Sequence, residues 1–225
     1  MKILVLISHV PDTTARIGFT NDNTQYDSNG VTFIVNPYDE WYALVRGLEL
    51  KEALGGTLTT ITVGGPETDP TIRKALAIGA DDAVRVDAQP TESYAVAAQV
   101  AAYAKDKAYD LILTGKETID HNGSQVGPML AELLDLSLIS LASKLDIAGT
   151  TGTAERDVKG DVEVVEASLP LVVTCAKGMA EQRIPNMRGI MAARTKPLTV
   201  VPAASIDVLT ATVRFELPPP KQAVK

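Results

Sequence analysis

Leu111-Ile112-Leu113-Thr114-Gly115-Lys116-Glu117-Thr118-Ile119-Asp120-His121-Asn122-Gly123-Ser124-Gln125-Val126-Gly127 carries an apolar run that stops at a glycine, then a polar loop, then a second glycine cluster opening a helical pattern. Val126, Met129, Leu130, Leu133 and Leu134 follow at helical spacing, which predicts a helix with these five on its buried face. Pro128 is tolerated only in a first turn, so the helix should start near residues 122–125. Strand, loop and helix in this order make a βα unit. In an open α/β sheet ligands collect at the carboxyl ends of strands, and a helix N-terminus offers unpaired amides to an anion, so the loop is a candidate phosphate seat. The alternative is that the glycines only make a tight turn.

Short apolar runs of the same kind recur at Ile3–Ile7, Leu58–Val63, Ala83–Val86 and Leu171–Val173. Continuous rather than alternating apolar character predicts strands covered on both faces, hence a parallel sheet. Between them, Asn36-Pro37-Tyr38-Asp39-Glu40 reads as an N-cap, a first-turn proline and acidic first-turn residues of a helix that buries Trp41, Leu44, Val45 and Leu48 and stops at Gly55-Gly56. Asp69-Pro70 opens a second helix that Gly79 closes, and Tyr94 to Tyr103 forms an alanine-rich third. After about residue 142, turns at Gly149-Thr150-Thr151-Gly152 and Lys159-Gly160-Asp161 predict appended antiparallel strands. Residues 178–189 lack periodicity and read as an exposed loop. The proline segment Leu217 to Lys225 reads as an extended tail, lying on a partner or mobile. The expected fold is an α/β three-layer sandwich with a mainly parallel, Rossmann-like sheet. Its domain covers residues 1–200, and a C-terminal extension covers 201–225.

Composition narrows the function. The 225 residues hold 28 acidic against 21 basic side chains, a formal charge of −7, which gives no basic field for a nucleic acid and disfavours an anionic membrane surface. No apolar run approaches the roughly 20 residues that cross a bilayer, and the N-terminal run reads as a buried strand rather than a leader, so a cytoplasmic protein is expected. The single cysteine excludes an internal disulfide and a four-cysteine metal cage. Cys175 sits in an apolar run and reads as a buried hydrophobe rather than a nucleophile.

Catalytic signatures are weak. Lys116 follows Gly115 without the Walker A spacing, there is no G-x-G-x-x-G, and no serine stands in a G-x-S-x-G elbow. His9 and His121 do not form a metal-binding pair. Asp12, Glu117 and Asp120 are loop carboxylates that support a hydrolytic reading only thinly. Ser8 and the Val63-Gly64-Gly65-Pro66 strand end should converge on the candidate seat, with Asn36-Pro37 closing its side.

With these residues laid out, the chain resembles the β subunit of the electron transfer flavoproteins, the FixA family included, over nearly its whole length. The resemblance is carried by Val10-Pro11-Asp12, Val35-Asn36-Pro37-Tyr38, Ala75 to Asp81, Gly115 to Gly127, and Leu169 to Thr174 followed by Arg183 and Pro185 to Ala193. It implies an adenine-nucleotide-binding α/β fold without catalytic residues of its own, paired with an α subunit that carries most contacts to a shared FAD. It also implies a structural AMP touching Leu6, Asn36, Pro37, Tyr38, Asp39, Gly64, Gly115, Lys116, Asp120, Asn122, Gly123, Ser124, Gln125 and Val126. Gln125-Val126-Gly127-Pro128 is similar to members that hold a second FAD there and split electron pairs, although His121-Asn122-Gly123 lacks their acidic run. Thr13 stands where relatives with one redox flavin often carry an aromatic. Residues 174–190 would contain a loop that docks dehydrogenases, with Met179 as its apolar anchor and Arg183 beside it; alternatively Met179 packs on its own domain. The implied activity is electron transport from acyl-CoA-type dehydrogenases, as in fatty acid β-oxidation, to a quinone oxidoreductase. The alternatives are an electron-bifurcating β subunit, or a free-standing nucleotide sensor.

Overall fold

Ile3, Val5 and Ile7 pack on one face of the first strand, while Leu4 and Leu6 pack on the other, so the strand is buried from both sides. The computed structural model describes residues 1–219. In chain order the first strands are β1 (Lys2–Leu6), β2 (His9–Pro11), β3 (Phe19–Thr20), β4 (Gln25–Tyr26) and β5 (Phe33–Val35), followed by helix α1 (Asp39–Leu54). Next come β6 (Thr57–Val63), α2 (Asp69–Ile78), β7 (Asp82–Asp87), α3 (Ser93–Ala104), β8 (Leu111–Gly115) and α4 (Val126–Leu134). The chain continues through β9 (Ser137–Ala148), β10 (Thr151–Val158), β11 (Asp161–Ser168), β12 (Leu171–Cys175), α5 (Met187–Ala193) and β13 (Leu198–Pro202).

Nine strands form one sheet in the order β11-β10-β9-β12-β8-β1-β6-β7-β13. The pairs from β9 through β12, β8, β1, β6 and β7 to β13 are parallel, and β9, β10 and β11 pair antiparallel, as the turn signals predict. One core layer holds α1, α2 and α5 against Ile3, Val5, Leu111 and Leu113; the other holds α3 and α4 against Leu4, Leu6, Ile61 and Ile112. This is the expected three-layer α/β architecture. After β7 the chain crosses to the far side of β1, so the topology reverses between β1 and β8, where open α/β sheets form their crevice.

Several local expectations are corrected. Asn36 is not an N-cap: α1 starts at Asp39, with Tyr38 at the cap position and no side-chain cap bond, because Asn36 is turned inward toward a distant loop. Of the five apolar residues on α4, only Leu130 is fully buried and Leu133 is 40% exposed. Packing against α3 and the sheet covers a narrower stripe than the periodicity describes. The appended strands begin at Ser137, earlier than the turns suggest. Within 178–189, α5 already starts at Met187, capped by Asn186, whose Oδ1 accepts from the Gly189 amide at 2.8 Å.

The expected boundary at residue 200 falls inside β13. Beyond it, Gln99 donates to the Ala204 carbonyl at 2.9 Å and accepts the Ala204 amide at 2.8 Å, while Glu92 accepts the Leu209 amide at 2.6 Å. The ring of Phe215 stacks on Phe19 at 5.0 Å. Where it is described, the extension makes these contacts with its own chain, and residues 220–225 of the proline tail fall outside the described residues. Cys175 is fully buried at the end of β12, and burial pushes its thiol far up from its ordinary value, as suits a structural hydrophobe.

Candidate functional site

The carboxyl ends of β1, β6 and β8 open into a cleft of about 700 Å³ at the reversal point. Its floor is set by close packing. A side chain at Gly115 would place Cβ 2.7 Å from Glu40 Cγ, and one at Gly64 would place it 2.5 Å from Thr68 Cγ2. Both strand ends therefore require glycine for space rather than for backbone angle.

The loop from Gly115 to Val126 makes one wall. Glu117 braces it, receiving the Lys116 ammonium at 3.0 Å on one oxygen and the Ser124 hydroxyl at 3.0 Å on the other. The hydrogen bond to Glu117 raises the Lys116 pKa, and the same bond lowers that of Glu117, so both are charged at neutral pH. Asn122 and Ser124 adopt left-handed backbone angles of 48° and 52°, which turn the loop sharply into α4. Val126 and Gly127 occupy the first turn of α4, where amides have no intrahelical acceptor. The free amides at the start of α4, with a lysine beside them, suit an anionic group, while the Ser124 hydroxyl is committed to Glu117.

Leu6, Gly64, Gly115, Lys116 and Asp120 line this cleft together with Gly123, Ser124, Gln125 and Val126. Asn36, Pro37, Tyr38, Asp39 and Asn122 do not. Asn36 lies fully buried beneath the loop and donates to the Glu117 carbonyl at 2.9 Å, Pro37 accepts from Gln182 at 2.6 Å, and Tyr38 faces solvent. Asp39 is buried, and burial raises its pKa against the pull of Lys116. Asn122 is exposed, its amide bonded to the Thr118 carbonyl at 2.8 Å.

Other cleft residues escaped the sequence reading. Glu40, 4% exposed, accepts the Ser8 amide at 2.7 Å and the Ser8 hydroxyl at 2.6 Å, and burial raises its pKa to about 8. It reads in sequence as a helix-dipole residue, and its only further signal is its place facing the β1 and β8 ends. His9 stacks on Phe33 at 4.4 Å, bonds Thr71 at 2.7 Å through Nδ1, and has its pKa lowered by burial. Glu67, Gln89 and Glu92 complete the opposite rim.

The docking residues separate. Met179 packs into the core and is 5% exposed, the arrangement expected of the alternative reading; it is not presented as an anchor. Arg183 forms a two-point ion pair with Glu52 at 2.6 and 3.1 Å. The large apolar side chains this stretch does expose are Ile184, Met187 and Ile190, 83%, 74% and 41% exposed. Among the described residues no cluster of three or more His, Cys, Asp or Glu is placed to hold a metal, and no helix is long and apolar enough to cross a membrane.

Parallel strand order, a crevice at the reversal point and an anion-suited wall define a doubly wound α/β protein of the nucleotide-fold type. A family model described as the electron transfer flavoprotein domain matches residues 24–206. The chain is 42% identical to the electron transfer flavoprotein subunit beta of Bacillus subtilis, covering all of this chain and 91% of that protein. It is 36% identical to protein FixA of Azotobacter vinelandii, over 93% of this chain and 78% of that one. It is 34% identical to the electron transfer flavoprotein subunit beta of Syntrophomonas wolfei, over 99% and 88%. The chain belongs to the electron transfer flavoprotein β-subunit and FixA family.

Proposed function

We propose that this chain is the β subunit of a heterodimeric electron carrier in the bacterial cytoplasm, holding AMP in the cleft and sharing an FAD with an α subunit. The observation that carries the nucleotide reading is the wall from Gly115 to Val126, with the first-turn amides of α4 and Lys116 at the cleft. These groups fit a phosphate, and Gly64 and Leu6 leave room for a flat base at the strand ends. The FAD, when bound, supplies the ring that accepts and returns electrons. With six tyrosines, three phenylalanines and one tryptophan, this chain offers little ring surface to hold an isoalloxazine, in keeping with a flavin carried mostly by the partner.

In this reading the subunit positions rather than catalyses. Asn36 and Glu117 hold the nucleotide loop, while the stretch from Gln182 to Met191 offers exposed apolar side chains to acyl-CoA-type dehydrogenases. Electrons then pass to a quinone oxidoreductase. Methionine adapts to several pockets, which suits Met187 as the anchor in place of the buried Met179. The reading is tested by co-expressing the chain with its α subunit, denaturing the purified complex and counting nucleotides. One FAD and one AMP per heterodimer are expected; a complex without flavin or adenine nucleotide overturns it. A second FAD in place of AMP, the bifurcating alternative, is favoured by the extent of the cleft beyond the anion wall to His9 and Phe33, and a count of two FAD selects it.

A further inference from the structure

Glu40 is a carboxyl group buried at the floor of the cleft whose hydrogen-bond partners, among the described residues, are both on Ser8. The Ser8 amide donates to Oε2, and the Ser8 hydroxyl spends its single proton on Oε1. A hydroxyl committed in this way presents only lone pairs to the cleft. A carboxylate in that position also sits next to the wall best suited to an anion, where it opposes any phosphate. Both obstacles disappear if Glu40 is neutral.

We propose that Ser8 and Glu40 form a proton-linked contact for the nucleotide, in which a neutral Glu40 donates its proton to Ser8 Oγ and the Ser8 hydroxyl turns to donate to an acceptor atom of the ligand. This rests on the nucleotide reading above. When the ligand meets the ionised form, one proton passes from solvent to Glu40, and only hydrogen bonds are exchanged. The Ser8 amide stays on Oε2 in both states.

The surroundings favour the neutral acid. Asp39 on the same helix and Asp120 from the loop after β8 both add negative potential at Glu40. Lys116 is held by Glu117, and its pull is registered on Asp39. From β12 the nearby Cys175 is an un-ionised thiol, and His9, beside Ser8, directs Nδ1 to Thr71. Burial lowers the His9 pKa, the Cys175 and Lys116 values are raised, and a nucleotide monophosphate has lost its second proton above about pH 6. Between about pH 7 and about pH 9.5 Glu40 then titrates in the cleft wall, where His121 stands at the rim 3.9 Å from Asp120.

The test is calorimetric titration of AMP into the full chain across that range, in two buffers of different protonation heat. Affinity should fall as pH rises through about 8, approaching about tenfold per pH unit, with proton uptake on binding at the upper end. Glu40→Gln, whose amide donates to Ser8 Oγ at every pH, should bind with nearly constant affinity. Ser8→Ala should bind about tenfold more weakly near pH 7, a difference that closes by about pH 9.5. Ser8→Ala keeps the proposal testable if Glu40→Gln fails to fold. A parent affinity independent of pH, a Glu40→Gln profile that keeps the parent slope, or undiminished binding by Ser8→Ala overturns the proposal and leaves the nucleotide reading standing. A folded parent that binds no AMP near pH 7 overturns both.

Discussion

Asn36 donates from Nδ2 to the backbone carbonyl of Glu117 at 2.9 Å, joining residues 81 positions apart. The turn entering α1 and the loop following β8 are thereby one piece, and Glu117 extends the tie to Lys116 and Ser124. Asn36→Ala leaves the Glu117 carbonyl unpaired at a partly buried position. It should cost about 1–3 kcal/mol in urea denaturation and speed amide exchange across residues 117–125. Parent-like exchange there would show that the loop holds its own shape.

Gly127 sits where α4 meets the sheet. A Cβ there would stand 2.3 Å from Thr174 Cγ2 and 2.9 Å from Thr114 Oγ1. Gly127→Ala should destabilise by about 1–3 kcal/mol through overpacking. Thr174→Ser removes the nearer methyl while keeping the hydroxyl that accepts the Leu141 amide at 2.8 Å. The double variant should recover much of the loss in thermal denaturation; strict additivity would place the strain elsewhere.

Glu40 also links stability to pH. Its pKa rises from 4.5 unfolded to about 8 folded, so between those values the unfolded chain releases a proton that the folded one keeps. The contribution is fully favourable below about 4.5, falls as pH rises to about 8, and is constant above. Glu40→Gln should therefore gain stability relative to the parent over that window. Denaturation midpoints of the two proteins that run parallel from about pH 5 to about pH 8 would count against a buried neutral acid.

Met179 and Met187 carry the same side chain in opposite settings. Met179→Ala should cost about 2–5 kcal/mol, as for other buried methionines. Met187→Ala should leave the denaturation midpoint within about 0.5 kcal/mol and slow flavin reduction by a dehydrogenase in the reconstituted heterodimer. Equal reduction rates for Met187→Ala and parent would remove this stretch from docking.

The strands of the sheet's parallel centre were legible because each is covered on both faces and so reads as an unbroken apolar run, as in Ile3–Ile7. The loop that walls the cleft was legible because strand, glycine and helix start are contiguous. What the chain did not disclose depends on contacts between distant residues. Asn36 next to Pro37 has the local look of a cap, while its actual acceptor belongs to Glu117. Glu40 looks like a dipole residue until β1 and β8 close around it. Met179 is placed as an anchor only by the resemblance, and nothing local in the sequence tells that the core takes it up. On α4 the period locates the apolar stripe, but the neighbouring elements decide that Leu133 stays outside it.

The burial of Cys175 has a practical side. Fully enclosed and with its thiolate strongly disfavoured, it will resist alkylation in the native state. A cysteine introduced at the exposed Met187 position would then be this chain's sole reactive thiol, so a fluorophore or spin label could be attached there without engineering out a background site. The subunit comes ready to report, in real time, whether a redox partner settles onto that surface.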